Sequence, residues 1–209
     1  MSGFKTLAAS LLLIMAVTFP VAVQAQMFDF GIRAGANVTS VTNSQYPTGS
    51  LTGYHFGLDV SYRLRFAPLA IEPGMYFMQM GTDYDQIQLG LQSPQPARLK
   101  INYVQLPVMV RAYLPLSGPV IPNVFGGPYV GFRTDISFQV GNQMVLQAQD
   151  WYRESDYGFM VGVGTRIGLL AVDVDIDVRL IYGMENIFDY QFEYDEQHRG
   201  IAFTAGVSF

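Results

Sequence analysis

His55 and His198 are the only imidazoles in the chain, and there is no cysteine to act as nucleophile, thiolate ligand or disulfide partner. Enzymes that acylate or deacylate a membrane glycolipid need a histidine beside a serine and a carboxylate. His55 runs into Phe56-Gly57 and His198 into Arg199-Gly200, so neither lies in a His-x-Ser strand pattern. Both read as rim histidines where loops meet strands. Gly162-Val163-Gly164 is too short to cradle a dinucleotide, and the acidic segments match no EF-hand loop. No catalytic, cofactor-binding or metal-binding residue is assigned, and no cofactor is expected.

The other charged residues are ordered by position. Between Ala171 and Tyr182, Val172, Val174, Ile176, Val178, Leu180 and Tyr182 alternate with Asp173, Asp175, Asp177 and Arg179. Successive strand side chains point to opposite faces, so this period of two gives one apolar face and one ionic face. Seven more segments alternate: 28–39, 54–64, 69–80, 102–112, 124–136, 157–167 and 200–209. Across all eight, one face collects Arg33, Asp59, Arg63, Glu72, Arg111, Arg133, Arg166, Asp173, Asp175, Asp177 and Arg179, with Asp29 and Asp135 on the same parity at strand ends. The opposite face carries no charge. Nearly balanced charge on one face predicts a packed ion-pair network, with a conducting pore as the alternative.

The connections alternate in length. Those after strands one, three, five and seven are long (40–53, 81–101, 137–156 and 183–199), and 65–68 and 168–170 are tight. The connection 113–123, with Pro115, Pro119 and Pro122, is intermediate. Long loops at one end and short turns at the other predict an all-β, eight-stranded, antiparallel up-and-down transmembrane barrel with short periplasmic turns and long extracellular loops. Alternation alone also fits a soluble periplasmic lipocalin-like carrier whose apolar face points inward. A lipid-facing Arg or Lys at mid-membrane costs roughly 2–4 kcal/mol, so the uncharged face is assigned to lipid. Tyr54, Phe56, Phe77, Phe132, Tyr157, Phe159 and Tyr182 near one end, and Phe28, Phe30, Tyr62 and Phe209 near the other, suit two interfacial girdles.

Composition agrees. The 209 residues are 50% hydrophobic and 14% aromatic but only 14% charged, with a net charge of −5. Soluble domains carry about 25% charged residues, and nucleic-acid binding calls for a basic face. Residues 1–25 read as a signal peptide: Lys5, an apolar run from Leu7 to Phe19, Pro20, and a small-residue exit at Val23-Gln24-Ala25. The barrel domain is then 26–209. The outer loops gather acids beside aromatics: Asp83-Tyr84-Asp85, Asp150-Trp151-Tyr152, and Phe192-Glu193-Tyr194-Asp195-Glu196. Asp83, Tyr84, Asp85, Trp151, Tyr152, Tyr194, Asp195 and Glu196 are the candidate surface-recognition residues.

Asn102-Tyr103-Val104-Gln105-Leu106-Pro107, Phe125-Gly126-Gly127-Pro128-Tyr129-Val130-Gly131 and Arg179-Leu180-Ile181-Tyr182-Gly183-Met184 resemble the PorT-like outer-membrane β-barrel family. So do Asp156-Tyr157-Gly158, Gly162-Val163-Gly164 and Phe30-Gly31-Ile32-Arg33-Ala34-Gly35. The resemblance spans the chain after the leader, departing at Gln105, where the family often has Glu. It implies an eight-stranded barrel in the outer membrane of a Gram-negative bacterium, with Phe209 as the signal read by the barrel-assembly machinery. Outer-membrane lipid, lipopolysaccharide and an extracellular protein are the expected partners. The expected role is structural or surface-interacting, without catalysis. A lipid-A-modifying enzyme and the soluble carrier are the alternatives.

Overall fold

The computed structural model describes residues 28–42, 44, 48–87, 93–116, 118–141, 143–144, 152–169, 171–188 and 196–209. The expected signal peptide lies outside them. The strands are β1 (Phe28–Thr42), β2 (Thr48–Arg63), β3 (Leu69–Ile87), β4 (Gln95–Tyr113), β5 (Val120–Val140), β6 (Gln143–Met144), β7 (Ser155–Gly168), β8 (Asp173–Gly183) and β9 (Gln197–Ser208). Every pairing is antiparallel. Sequence neighbours pair around the sheet, and the β1–β9 ladder joins the first strand to the last, leaving a closed wall of eight. The two-residue β6 pairs with the end of β5 (Gln139↔Met144, Val140↔Gln143) and takes no part in the wall. Gly141, with φ of 55°, makes the left-handed turn between them.

At one end the connections are tight. Leu64 N–H donates to the Leu69 carbonyl at 2.8 Å, and Leu169 N–H to that of Val172 at 3.0 Å. The Pro-rich connection is shorter than expected because β5 starts at Val120. Pro122 joins the strand, and its carbonyl accepts the Leu114 N–H at 2.8 Å. At the other end the expected loops are partly strand. β3, β4 and β5 run to 19, 19 and 21 residues, whereas about 10 tilted residues suffice to cross the apolar band.

Around the lower barrel the apolar face points outward. Phe30, Ile32, Phe56, Leu58, Val108, Val110, Val124, Val163, Ile176 and Phe203 are exposed, and Arg33, Asp59, Glu72, Arg111, Arg166, Asp175, Asp177 and Arg179 are buried inside. A soluble carrier would have these faces reversed. Above the belt the faces do reverse. On β4, Ala97, Leu99, Ile101 and Tyr103 point inward and are buried, while Arg98, Lys100 and Asn102 point outward. Met78, Met80, Phe138, Met160, Ile181 and Ile187 join them in one apolar cluster inside the outer half of the barrel.

The β4–β5 register slips between Asn102 and Tyr103: Tyr103 is opposite Arg133, Asn102 opposite Asp135, and Thr134 is the extra residue. A one-residue slip moves the following side chains to the other face. Asp135, expected on the interior parity, is therefore exposed, and Asn102 Nδ2 donates to it at 3.4 Å.

Candidate functional site

The interior has two tiers, held by different forces. In the lower tier, charged side chains from β1, β2, β3, β4, β7 and β8 converge. Arg33 Nε lies 2.5 Å from Asp59 Oδ2, and its Nη1 lies 3.0 Å from Asp177 Oδ2. Arg111 donates to Glu72 at 2.9 Å, to both Asp177 oxygens at 2.9 and 3.0 Å, and to Asn123 at 2.5 Å. Arg166 holds Asp175 with two bonds at 2.7 and 3.1 Å, and Ser208 donates a further one to Asp175 at 2.7 Å. Tyr76 Oη donates to Asp59 at 2.7 Å. Fork-like guanidinium contacts of this kind satisfy buried carboxylates that would otherwise be costly to desolvate.

Glycine on neighbouring strands leaves the room. A Cβ on Gly164 would meet Asp177 Oδ1 at 2.0 Å, and one on Gly206 would meet Arg33 Cγ at 2.6 Å. Aromatic rings fill the remaining space: Phe125 lies 4.3 Å below the Arg111 guanidinium, and Tyr76 lies 5.4 Å from that of Arg179. Arg179 touches Asp177 at 3.6 Å, and its Nε, though buried, has no hydrogen-bond partner. Arg63 is half-exposed at the periplasmic mouth, 2.6 Å from Asp29 and 3.2 Å from Asp173. Arg133, half-buried beside the β5 bulge, lies opposite Tyr103 in the upper tier.

Both histidines lie inside the barrel rather than at its rim. His55 is 1% and His198 0% exposed. The expectation of rim positions fails because the strands continue past the predicted loop boundaries. His55 Nδ1 is 3.3 Å from Asn37 Oδ1, and Nε2 is 2.9 Å from Thr204 Oγ1. This hydroxyl–imidazole–amide chain links β2 to β1 and β9 across the seam. It has the order of an acyl-transfer triad, but all three side chains are buried in the lumen, on the opposite side of the wall from lipid. His198 Nε2 sits 3.3 Å from Tyr103 Oη, with the rings edge to face. No sequence motif announces either arrangement, because Thr204 and Tyr103 come from strands far in the chain from the histidines they meet.

The loop residues divide. Asp83 and Asp85 are solvent-accessible, and Asp83 takes two bonds from Arg98 at 2.6 and 2.9 Å. Tyr84, Tyr152 and Glu196, expected on the recognition surface, are buried and roof the upper tier. Tyr84 Oη donates to Glu196 Oε2 at 3.0 Å. Burial pushes the Glu196 carboxyl above its ordinary range, against hydrogen bonds from Ser44 and Tyr84 that pull it down. Tyr152 packs 4.9 Å from Phe188. Trp151, Tyr194 and Asp195 lie outside the described residues. Among the described residues no group of His, Asp or Glu is placed to hold a metal ion.

Residues 24–189 match the family model described as outer membrane protein beta-barrel domain. Among solved structures, Neisserial surface protein A shares 16% identity, with 86% of this chain and 95% of that one covered and a TM-score of 0.53. Ail, the attachment invasion locus protein of Yersinia pestis, shares 14% over 88% of this chain and 99% of its own, with a TM-score of 0.46. For the N-terminal β-barrel domain of Pseudomonas aeruginosa OprF the figures are 10%, 86%, 97% and 0.40. Likeness at these identities concerns the fold alone. No curated protein matches the chain.

Proposed function

The chain belongs to the outer membrane protein beta-barrel domain family and resides in the bacterial outer membrane; from that premise we propose that it is a non-catalytic barrel with a structural or surface-interaction role, of the PorT-like kind. The observation that carries this reading is the filling of the lumen. Paired charges occupy its lower half and apolar side chains its upper half, so the interior is a core. An eight-stranded wall has room for side chains and little more. What differs from the lipid-embedded wall is the part above it, where β3 carries Asp83 and Asp85 and β4 carries Arg98 and Lys100 into solvent. We assign the interaction role to that end, with an extracellular protein as partner. Residues 1–25 act as the export signal, and Phe209 presents the last strand to the assembly machinery.

Against lipid-A modification stands the placement of His55. Its hydroxyl neighbour, Thr204, faces the closed lumen, whereas a lipid substrate would lie against the outer wall. The refolded full-length barrel in a planar bilayer is expected to give no stable conductance, and lipid A from overexpressing cells to keep its mass. Steady single-channel steps would sink the filled-core reading. A shift in lipid A mass that H55A abolishes would sink the non-catalytic one.

A further inference from the structure

Outward-facing side chains on the strands beside the seam form a polar row at the upper edge of the apolar belt. Arg199 of β9 is opposite Ser40 of β1 and Tyr182 of β8, and Ser50 of β2 lines the same groove. Two residues closer to the membrane centre, Ile201 is opposite Val38 and Leu180, all three exposed. The two rows line a groove of about 300 Å³ on the outer wall.

The Arg199 guanidinium is held in place. Nη1 donates to the Gly183 carbonyl at 2.7 Å, Nη2 to Gln197 Oε1 at 3.2 Å, and the group lies 5.2 Å from the Tyr182 ring centroid. Among the described residues no carboxylate lies within ion-pair distance of it. Among the described residues this leaves a fixed cation on the membrane-facing wall with no anion, at the level where the apolar belt ends. The belt's upper edge is the headgroup level of the outer leaflet, since the long connections mark the extracellular end.

We propose that this groove binds a phosphorylated glycolipid of the outer leaflet. The Arg199 guanidinium takes the phosphate, the Ser40 and Ser50 hydroxyls donate to the headgroup, and an acyl chain lies over Val38, Leu180 and Ile201. A free phosphate would leave that apolar floor uncovered, and a neutral lipid would leave the guanidinium without its anion. The site rests on the outer-membrane placement of the barrel and adds a defined lipid position to it.

The test is retention of lipid by the refolded full-length chain through detergent exchange, read by native mass spectrometry. The probes are phosphorylated lipid A, the same lipid A stripped of phosphate, and inorganic phosphate as competitor. Phosphorylated lipid A should be retained, and the stripped form about 10-fold less, the loss of one charge-assisted hydrogen bond. Inorganic phosphate at equal concentration should not displace it. R199Q should lower retention by a similar ~10-fold, R199K should keep it, and R98Q, outside the groove, should leave it unchanged. Equal retention of both lipid A forms, which needs only the unaltered chain, would overturn the site; so would undiminished retention by a correctly folded R199Q, or a loss in R98Q as large as in R199Q. Fractionation of cells separates the two ideas: recovery of the chain with periplasmic contents would overturn the membrane placement itself, whatever the lipid result.

Discussion

The two halves of the lumen are enclosed by the same wall and solve opposite problems. Below, where lipid surrounds the barrel, the outward face must be apolar and the charge of the chain is driven inside. There Arg33, Arg111 and Arg166 are matched against Asp59, Glu72, Asp175 and Asp177. Above, water surrounds the barrel, the outward face takes the charges, and Leu99, Ile101, Met80, Phe138 and Met160 collapse inward as in an ordinary soluble domain. β4 passes through both regimes without a break in alternation between its faces. The solvent outside decides what the inside is made of.

The contrast is most sharply broken from below. R111L leaves Glu72 and Asp177 buried without their shared cation, and the expected cost is about 3–5 kcal/mol. It would be read as a lower temperature for loss of heat-modifiable migration in detergent. A paired replacement such as R33M with D59L should cost less than R33M alone, which leaves Asp59 buried without its cation. If R33M alone cost no more than the pair, the tier would not be an electrostatic unit. R179L should cost less than R111L, since Arg179 makes one longer ion contact and leaves Nε without a hydrogen-bond partner.

In the upper tier, L99A opens a cavity, with an expected loss of about 2–4 kcal/mol. Its signature should be regional. Amide exchange should quicken for β3, β4 and β5 above the belt while the belt itself stays protected. Uniform loss of protection would mean that the tiers unfold as one. A smaller effect, with a sign of its own, comes from Glu196. Its carboxyl is raised by burial, so the folded state holds the proton more tightly than the unfolded chain does. The upper tier should be most stable below the ordinary carboxylate range and weaken as pH rises from that range through the raised folded-state value. The Ile187 amide, which donates to the Glu196 carbonyl at 2.9 Å, is the reporter, and E196Q should flatten its pH dependence. The smallest effect is expected at the exposed Asp83–Arg98 pair, where D83N should change stability by less than about 1 kcal/mol.

Much of this could be read from the residues because lipid imposes a strict period of two. The eight wall strands, the outward apolar set and the buried positions of Arg33, Asp59, Glu72, Arg111, Arg166, Asp175, Asp177 and Arg179 all follow from it. The reading stopped where the solvent changed. Residues 95–101 alternate as regularly as 102–112, but with apolar side chains inward and charges outward. An apolar outer face is the signature of a wall strand, so by sequence they read as loop. Tyr84, Tyr152, Glu196 and both histidines were misplaced for the same reason. Asp135 was lost differently: the bulge at Thr134 changes the face of every residue beyond it, and a count by twos has no warning of that.

The seam between β1 and β9 has a kinetic consequence. Gly31↔Ser208 through Thr42↔Gln197 is a ladder between the two ends of the chain, so no fragment lacking the last strand can complete it. Until that ladder zips, β1 is an open edge. The Arg33–Asp177 pair, 144 residues apart in sequence, is then unmade, and the charges of the lower lumen remain exposed to whatever lies beside them. Insertion into the bilayer and closure of the ring should therefore coincide, because a half-closed ring would carry unpaired ions into hydrocarbon. The rate of folding should be set by the arrival of the C-terminal strand and depend little on how quickly the individual hairpins form.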